Sequence, residues 1–367
     1  MNSLVVGNLI HRPLRSLISA IAVAIEVTMI LSIAAIMLGM LNGSKERTSG
    51  IGLDLFVRPS SATNFAAMSP AAAPIKVADV IAGLPHVLVA SPVNVQFTMG
   101  KSVENIYGID YKSFNALKPF VFLSGGPFET PNDVVVDDFF AASDGGHKVG
   151  DSISILGHPF RITGIVEHGR GGRKFIPILT MDDITNNPGR ASTFYVKVDD
   201  RANDELVRKE ILATPGMQQY AVQTLDEWMS LMTPDKIPGF NIALRVVIGI
   251  AIVIGFLVIF QSMYTAVMER TREIGILKSL GASQSYIVSV VLREAGLLAA
   301  VGIALGVGLT LLMRTIFRIK LPKLDFSVTP HWIEAAVIIA FLGAMLGALY
   351  PALKAARKDP IDALSYE

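Results

Sequence analysis

Two short stretches of this chain contain residue types that could bind a nucleotide phosphate. The first, MGKS at Met99–Ser102, ends like a P-loop, in which a lysine and a hydroxyl follow a glycine-rich turn. A P-loop also needs a glycine five residues before its Gly-Lys pair, so that main-chain amides can surround the phosphates. That position holds Val95, and no helical pattern follows the stretch. We therefore predict no phosphate site there.

The second stretch, LSGG at Leu123–Gly126, matches four letters of the signature motif of ABC ATPases. It is followed directly by Pro127 and lies among β-branched and aromatic residues that are typical of strands. We therefore expect that this chain binds neither ATP nor Mg²⁺ and hydrolyses no nucleotide.

The sequence contains no motif for other catalytic or metal-binding sites. The chain has no cysteine, which excludes disulfides, thiolate metal sites and cysteine nucleophiles. Neither G-x-S-x-G nor H-E-x-x-H occurs, and a net charge of +1 gives no basic surplus for nucleic acid. None of the six histidines has a partner at metal-ligand spacing: His11, His86, His147, His158, His168 and His331. The sequence predicts no catalytic residue, no metal site and no nucleic-acid partner.

The charged stretch ERTREIGILKSLGAS, Glu269–Ser283, lies between two long apolar runs. As a helix it would place Ile274, Leu277 and Leu280 on one face, with Gly281 as the stop signal. Its charged residues would form the rim of that face: Glu269, Arg270, Arg272 and Glu273. The pattern alone leaves two interpretations open, a helix that docks into a partner protein and an amphipathic helix on lipid headgroups.

Four apolar runs are long enough to cross a bilayer, which takes about 20 apolar residues. They cover residues 17–41, 242–268, 286–313 and 332–350. The first run follows Arg12 and Arg15 and could be mistaken for a signal peptide. It is longer than the apolar core of such a peptide and no clean cleavage site follows it, so we predict a retained anchor.

The block between the first and second runs, residues 42–241, has a different composition and hydrophobic pattern. Stretches such as NDVVVDDFF and STFYVKVDD read as strands, whereas ANDELVRKEILATPGM reads as a helix that Pro215-Gly216 ends. The sequence therefore predicts an α-helical membrane protein with four transmembrane helices and a mixed α+β domain between helices 1 and 2. Basic residues near the span ends are almost evenly divided and only weakly favour cytoplasmic termini.

The Glu269–Ser283 stretch closely resembles the cytoplasmic loop of the MacB/FtsX-like (type VII) ABC transporter permeases. NLIHRPLRSLISAIAVAI resembles the elbow and first span of that family, and DVVVDDFFAAS its extracytoplasmic core domain. REAGLLAAVGIALGVGLT resembles the third span, and PALKAARKDPIDALSYE the C-terminal tail. The resemblance thus extends over nearly the whole chain.

This resemblance implies a location and a topology. The chain would lie in the bacterial inner (cytoplasmic) membrane as a multi-pass protein with both termini cytoplasmic. The parts outside the spans would be an amphipathic elbow (1–16), an extracytoplasmic, periplasmic domain (42–241), a coupling helix (269–285), an extracytoplasmic loop (314–331) and a cytoplasmic tail (351–367).

The resemblance also implies a function. The chain would be the permease subunit of an ABC transporter, coupling ATP hydrolysis in a separate ATPase subunit to extracytoplasmic movement, a process called mechanotransmission, and driving efflux or extrusion. ATP and Mg²⁺ would be bound by that ATPase. Two alternatives stay open: a transmitter that activates an extracytoplasmic enzyme, as in FtsX, and a permease that extracts lipoproteins or lipids. Implied partners are the ATPase, a second permease copy in a homodimer, a periplasmic adaptor and membrane lipid.

A carboxylate, Glu26, lies about one third into the first predicted span, and the spans also contain two G-x-x-x-G pairs. Glu26 could sense a proton or substrate from a cavity, or could form a helix–helix hydrogen bond to a serine or glutamine such as Gln261. The small residues of the G-x-x-x-G pairs permit close helix contact, either within the chain or at a dimer seam. These residues are Gly302, Gly306, Gly343 and Gly347.

Overall fold

The structure is a computed structural model that describes residues 13–59, 73–99, 103–143, 145–234, 236, 239–320 and 325–357. Most of the predicted elbow, Gly100–Ser102 of the MGKS stretch and the end of the predicted tail lie outside these residues. Two compact units are present. One comprises Leu41–Ile237, and the other comprises Met1–Met40 together with Pro238–Glu367. We refer to them as the inserted unit and the helical unit.

The α-helices follow the order of the chain. They are α1 (Pro13–Ser49), α2 (Val77–Ala82), α3 (Tyr111–Leu117), α4 (Asp138–Ala141), α5 (Ile178–Ile184), α6 (Asp204–Ala213), α7 (Leu225–Leu231), α8 (Phe240–Glu269), α9 (Thr271–Ser279), α10 (Gln284–Lys320) and α11 (Pro330–Arg357).

The strands lie in the inserted unit. They are β1 (Leu55–Pro59), β2 (Ala73–Pro74), β3 (Val87–Met99), β4 (Val103–Ile109), β5 (Phe122–Gly125), β6 (Asp133–Asp137), β7 (Ser152–Ile155), β8 (His158–Val166), β9 (Lys174–Pro177), β10 (Arg190–Ala191), β11 (Thr193–Val198) and β12 (Tyr220–Thr224).

Four of the helices are long and apolar enough to cross a membrane. They cover Ser16–Ser49 of α1, α8, Gln284–Ile319 of α10, and α11. Several run beyond the predicted spans, because amphipathic turns continue the helices past the apolar residues. These helices, with an α+β unit between the first and second of them, confirm the predicted fold class.

Small residues on α11 allow the helical unit to pack tightly. Alanine recurs every fourth position on the buried face of this helix, at Ala336, Ala340, Ala344, Ala348 and Ala352, none more than 2% exposed. Because residues four apart share a helix face, this stripe is flat and lets neighbouring backbones approach closely. Helix α11 accordingly packs against both α8 and α10.

The inserted unit is built on one mixed sheet with strand order β12-β1-β11-β3-β4-β9-β6-β8-β5, and β7 pairs with β8. Most neighbours are antiparallel, but the pairs β4–β9 and β6–β8 are parallel. Successive residues of a strand point to opposite faces. On β1, Leu55 and Val57 therefore enter one buried cluster, whereas Phe56 enters another. Helices and loops thus cover both faces, and the strand reads as continuously apolar.

A buried arginine lies in the aromatic core of the inserted unit. The Arg170 guanidinium is 4.5 Å from the centre of the Phe120 ring and 5.7 Å from that of Phe114. Its Nη1 donates to the carbonyl oxygen of Pro119 at 2.7 Å. Burial lowers the pKa of Arg170 to about 10, so the side chain stays charged at neutral pH. Cation–π attraction therefore contributes to holding the charge in this core.

Candidate functional site

Helix α9 is the structured part of the predicted coupling segment. It begins after one connecting residue, Arg270, which follows the end of α8 at Glu269. It ends near Gly281, whose φ of +96° is the left-handed conformation that glycine adopts most readily. The Gly281 amide donates to the Lys278 carbonyl at 2.9 Å and the Ala282 amide to the Leu277 carbonyl at 3.0 Å. This pattern closes the last turn and satisfies carbonyls that the helix leaves free.

The structure corrects the predicted orientation of the apolar stripe. Ile274 and Leu277 were expected to face a partner, but both pack against the apolar core of the helical unit. With Ile287 and Val291 they line a small cavity of about 70 Å³. Helical periodicity identifies an apolar stripe. The short connections to α8 and α10 determine whether that stripe faces the other helices of the helical unit or the outside.

The exposed side of α9 carries a second apolar flank. Ile276 is 45% exposed and Leu280 is 80% exposed. Arg272 and Glu273 are exposed on the same short helix. We name the four residues Arg272, Glu273, Ile276 and Leu280 the α9 outer face. An apolar centre with charged neighbours is the composition expected of a protein-docking surface.

A buried ion pair joins the start of α9 to α10. Arg270 Nη1 lies 3.2 Å from Glu294 Oε1 and 3.0 Å from Oε2. The two side chains are only 12% and 8% exposed. A carboxylate at this position is costly unless it is paired, so Glu294 needs Arg270. The charge pattern predicted Arg270 on the rim of the stripe and did not predict this pairing, although an acidic residue inside an apolar run was the available signal.

The other end of α9 is joined to α11. Lys278 Nζ donates to the carbonyl oxygen of Ala356, in the last turn of α11, at 2.9 Å. A lysine is well suited to this position because the final carbonyls of a helix lack internal partners. Helix α9 is therefore attached to two long helices through polar side chains and follows directly on a third.

Glu26 lies in the interior of the helical unit and is 3% exposed. Its carboxyl group packs on Gly255 of α8, where a Cβ atom would lie 1.8 Å from Glu26 Oε2. Glu26 Oε1 has no hydrogen-bond partner among the described residues. Gln261, the partner suggested by the sequence, is exposed. The glycine thus makes room for the carboxyl group.

Replacing Gly255 by alanine is expected to force the Glu26 carboxyl group out of its position. Overpacking of this kind typically destabilises by about 1–3 kcal/mol. Thermal unfolding of the purified protein in detergent measures the effect. Gly249→Ala is the matched control on the same helix, because a Cβ there has no neighbour within 4 Å.

A double-mutant cycle tests the contact itself. Glu26→Ala removes the clashing group, so Gly255→Ala should destabilise much less in that background than in the wild type. Equal destabilisation by Gly255→Ala in both backgrounds would show that the clash lies elsewhere.

Three of the four predicted packing glycines contact other helices of the same chain. A Cβ at Gly302 would lie 2.6 Å from Val23 Cβ, and one at Gly306 would lie 2.7 Å from the Ala24 carbonyl oxygen. A Cβ at Gly347 would lie 2.8 Å from the Phe256 carbonyl oxygen, whereas Gly343 has nothing within 4 Å. These contacts place Gly302 and Gly306 against α1, and Gly347 against α8.

The LSGG stretch lies mainly in β5, at the edge of the sheet, where it pairs with β8. No group of three or more His, Cys, Asp or Glu residues suited to a metal ion occurs among the described residues.

Two family descriptions match consecutive parts of the chain. Residues 16–214 match the MacB-like periplasmic core domain. Residues 245–360 match the C-terminal region of FtsX-like permeases, a stretch that includes α9, α10 and α11. The two matches together cover most of the inserted unit and most of the helical unit.

Two MacB proteins are similar to parts of this chain. The macrolide export ATP-binding/permease protein MacB of Acinetobacter baylyi is 25% identical over 394 residues, covering 97% of this chain and 58% of that protein. MacB of Chromobacterium violaceum is 29% identical over 232 residues, covering 60% of this chain and 36% of that protein. The solved periplasmic region of MacB from Actinobacillus actinomycetemcomitans aligns at 15% identity with a TM-score of 0.39, covering 48% of this chain and 91% of that structure. The chain thus matches only part of each of these two full-length relatives.

Proposed function

Because the chain belongs to the MacB/FtsX-like family of ABC transporter permeases, we propose that it couples ATP hydrolysis in a separate ATPase subunit to efflux or extrusion of a substrate. The observation that carries this proposal is the attachment of α9. This short helix has an exposed outer face, and it is fastened to α10 through Arg270–Glu294 and to α11 through Lys278.

This attachment suits a helix that transmits a mechanical force from a docked partner. An ATPase that docks on the α9 outer face and changes shape moves α9. The buried ion pair resists separation of α9 from α10, and the Lys278 contact resists separation from α11. A rigid-body shift is then favoured over local unfolding of the segment.

The movement reaches the inserted unit through its two chain connections. Helix α1 leads into β1, and β12 leads through α7 to α8. The inserted unit would lie on the periplasmic side of the inner membrane, with the chain ends in the cytoplasm. Two permease copies and an ATPase pair complete the working assembly, and a periplasmic adaptor extends it where cargo leaves the cell envelope.

Leu280→Asp is expected to abolish coupling. The leucine is 80% exposed, so the chain should still fold, but an apolar anchor at a protein interface would be replaced by a charge. Loss of such an anchor lowers affinity about tenfold or more. The measurement is ATPase stimulation by the reconstituted permease, with Glu273→Lys as a second variant of the same face.

Leu206→Asp provides a matched control, because Leu206 is also an exposed leucine on a helix, at 46% exposure, but lies in the inserted unit. It should leave ATPase stimulation unchanged. Stimulation by Leu280→Asp equal to that of the wild type would contradict the docking role of α9.

The function itself is tested by purifying the chain from its native membrane and identifying the ATPase that accompanies it. An ABC ATPase at one copy per permease, with substrate movement that depends on ATP in proteoliposomes, is the expected result. ATP turnover that activates an extracytoplasmic enzyme while no substrate moves would contradict efflux.

A further inference from the structure

A groove of about 970 Å³ runs between α10 and α11. At one end it is lined by polar residues of the first turns of α10, Gln284 and Ser285, and by Arg357 in the last turn of α11. At the other end it is lined by Leu297, Phe341 and Met345. The groove is therefore polar at one end and apolar at the other.

The length of the groove matches one leaflet of a bilayer. Gln284 and Leu297 both line it and are about 20 Å apart along α10, at about 1.5 Å per residue. Half of a hydrocarbon core is about 15 Å thick. A groove of this length reaches from the headgroup region to near the middle of the membrane.

Two arginines supply positive charge to the groove: Arg357 lies at its polar end, and Arg293 lies about 14 Å along α10 from Gln284. Arg293 and Arg357 both line the groove, and both are exposed. Within the part of the chain that the structure describes, neither forms an ion pair or a hydrogen bond with a carboxylate. The neighbouring acidic residue, Glu294, is buried against Arg270 instead. Among the described residues that line it, the groove thus has two guanidinium groups and no carboxylate.

The floor of the groove is kept open by a glycine. A Cβ atom at Gly296 would lie 3.9 Å from Met345 Sδ and 3.9 Å from Phe341 Cε2. A small side chain would therefore fit there, whereas a longer one would enter the space of the groove. The open floor gives an apolar chain room to lie between the two helices.

We propose that this groove is a binding site for one phospholipid with an anionic headgroup. Arg293 and Arg357 bind the headgroup phosphates, because planar guanidinium groups pair closely with phosphate oxygens. The acyl chains lie along Leu292, Leu297 and Met345. Basic pockets between membrane helices recognise anionic lipids in this way. A protein occupant would have to bring carboxylates to the arginines and a matching ridge of side chains over the full length of the groove.

The test is lipid binding to the purified full-length chain, measured by native mass spectrometry with phosphatidylglycerol or phosphatidylcholine added at equal concentration. We expect one phosphatidylglycerol per chain to be retained in preference to phosphatidylcholine. The double variant Arg293→Gln/Arg357→Gln should bind phosphatidylglycerol about 30-fold more weakly, since each basic residue near an anionic lipid contributes about fivefold. Phosphatidylcholine binding should change little.

Arg314→Gln/Arg318→Gln is the matched control, because it removes two exposed arginines from the other end of the same helix. It should not change phosphatidylglycerol binding to the groove. Gly296→Leu should fill the floor and reduce the binding of both lipids while leaving every charge in place. Thermal unfolding checks that each variant is folded.

Several results would overturn the proposal. One is equal retention of the two lipids by the wild type. Another is equal loss of phosphatidylglycerol in the groove variant and the matched control, which would indicate general surface charge. A third is an unchanged lipid count together with loss of self-association in Arg293→Gln/Arg357→Gln, which would assign the groove to a contact between copies of the chain.

Discussion

Replacing Arg270 by alanine is expected to destabilise the helical unit by about 3–5 kcal/mol, because the change leaves the Glu294 carboxylate buried without its partner. The pair is 12% and 8% exposed, so the remaining carboxylate would be largely shielded from bulk water. The measurement is thermal unfolding of the purified protein in detergent. The same loss should follow Glu294→Ala, which leaves the arginine buried instead.

Arg272→Ala is the matched control, since this arginine is exposed on the same helix and surface substitutions usually change stability by less than about 0.5 kcal/mol. The double variant Arg270→Met/Glu294→Leu removes both charges and should recover most of the lost stability. If Arg270→Ala unfolds at the same temperature as Arg272→Ala, the ion pair contributes nothing to the attachment of α9.

The second large effect is expected at Gly306, where α10 touches α1. A Cβ there would lie 2.7 Å from the Ala24 carbonyl oxygen and 2.8 Å from Val27 Cβ. Since one of these atoms belongs to the backbone, the two helices must separate to admit a side chain. Gly306→Leu should therefore destabilise by about 3 kcal/mol, at the upper end of the range for overpacked sites. Thermal unfolding and the monodisperse fraction on size-exclusion chromatography measure it.

Gly308 offers a control two residues away on the same helix, because a Cβ there has no neighbour within 4 Å. Gly308→Leu should leave stability nearly unchanged. The comparison also separates the two interpretations of the G-x-x-x-G pair. If Gly306→Leu dissociates a dimer while the monomer keeps its unfolding temperature, Gly306 belongs to a dimer seam rather than to the contact with α1.

The membrane part of the fold could be predicted from sequence because its signal is local. A run of about 20 apolar residues has few alternatives to a spanning helix. The order of strands in the inserted unit is a different problem. The parallel pair β4–β9 joins segments far apart in the sequence, and no local pattern encodes that pairing. Continuous apolar stretches such as Leu55–Phe56–Val57 also hide the alternation that would identify the two faces.

The coupling segment shows where periodicity stops being informative. It correctly suggests a short helix with apolar residues, but Ile274 and Ile276 are equally apolar and only one of them faces the chain's own core. That choice depends on how α8 and α10 are placed. The pairing of Arg270 with Glu294 also depends on helix placement, because the two residues meet only when α10 folds back beside the start of α9.

The sheet order has one further consequence. Strands β1 and β12, the first and last strands of the inserted unit, are antiparallel neighbours, with Leu55 opposite Thr224. The Leu225 amide even donates to the Asp54 carbonyl at 2.8 Å. The first and last strands of the unit are therefore separated by about one strand spacing, near 4.8 Å. A short turn between Asp54 and Leu225 could therefore replace the intervening sheet without altering the order of the four long helices.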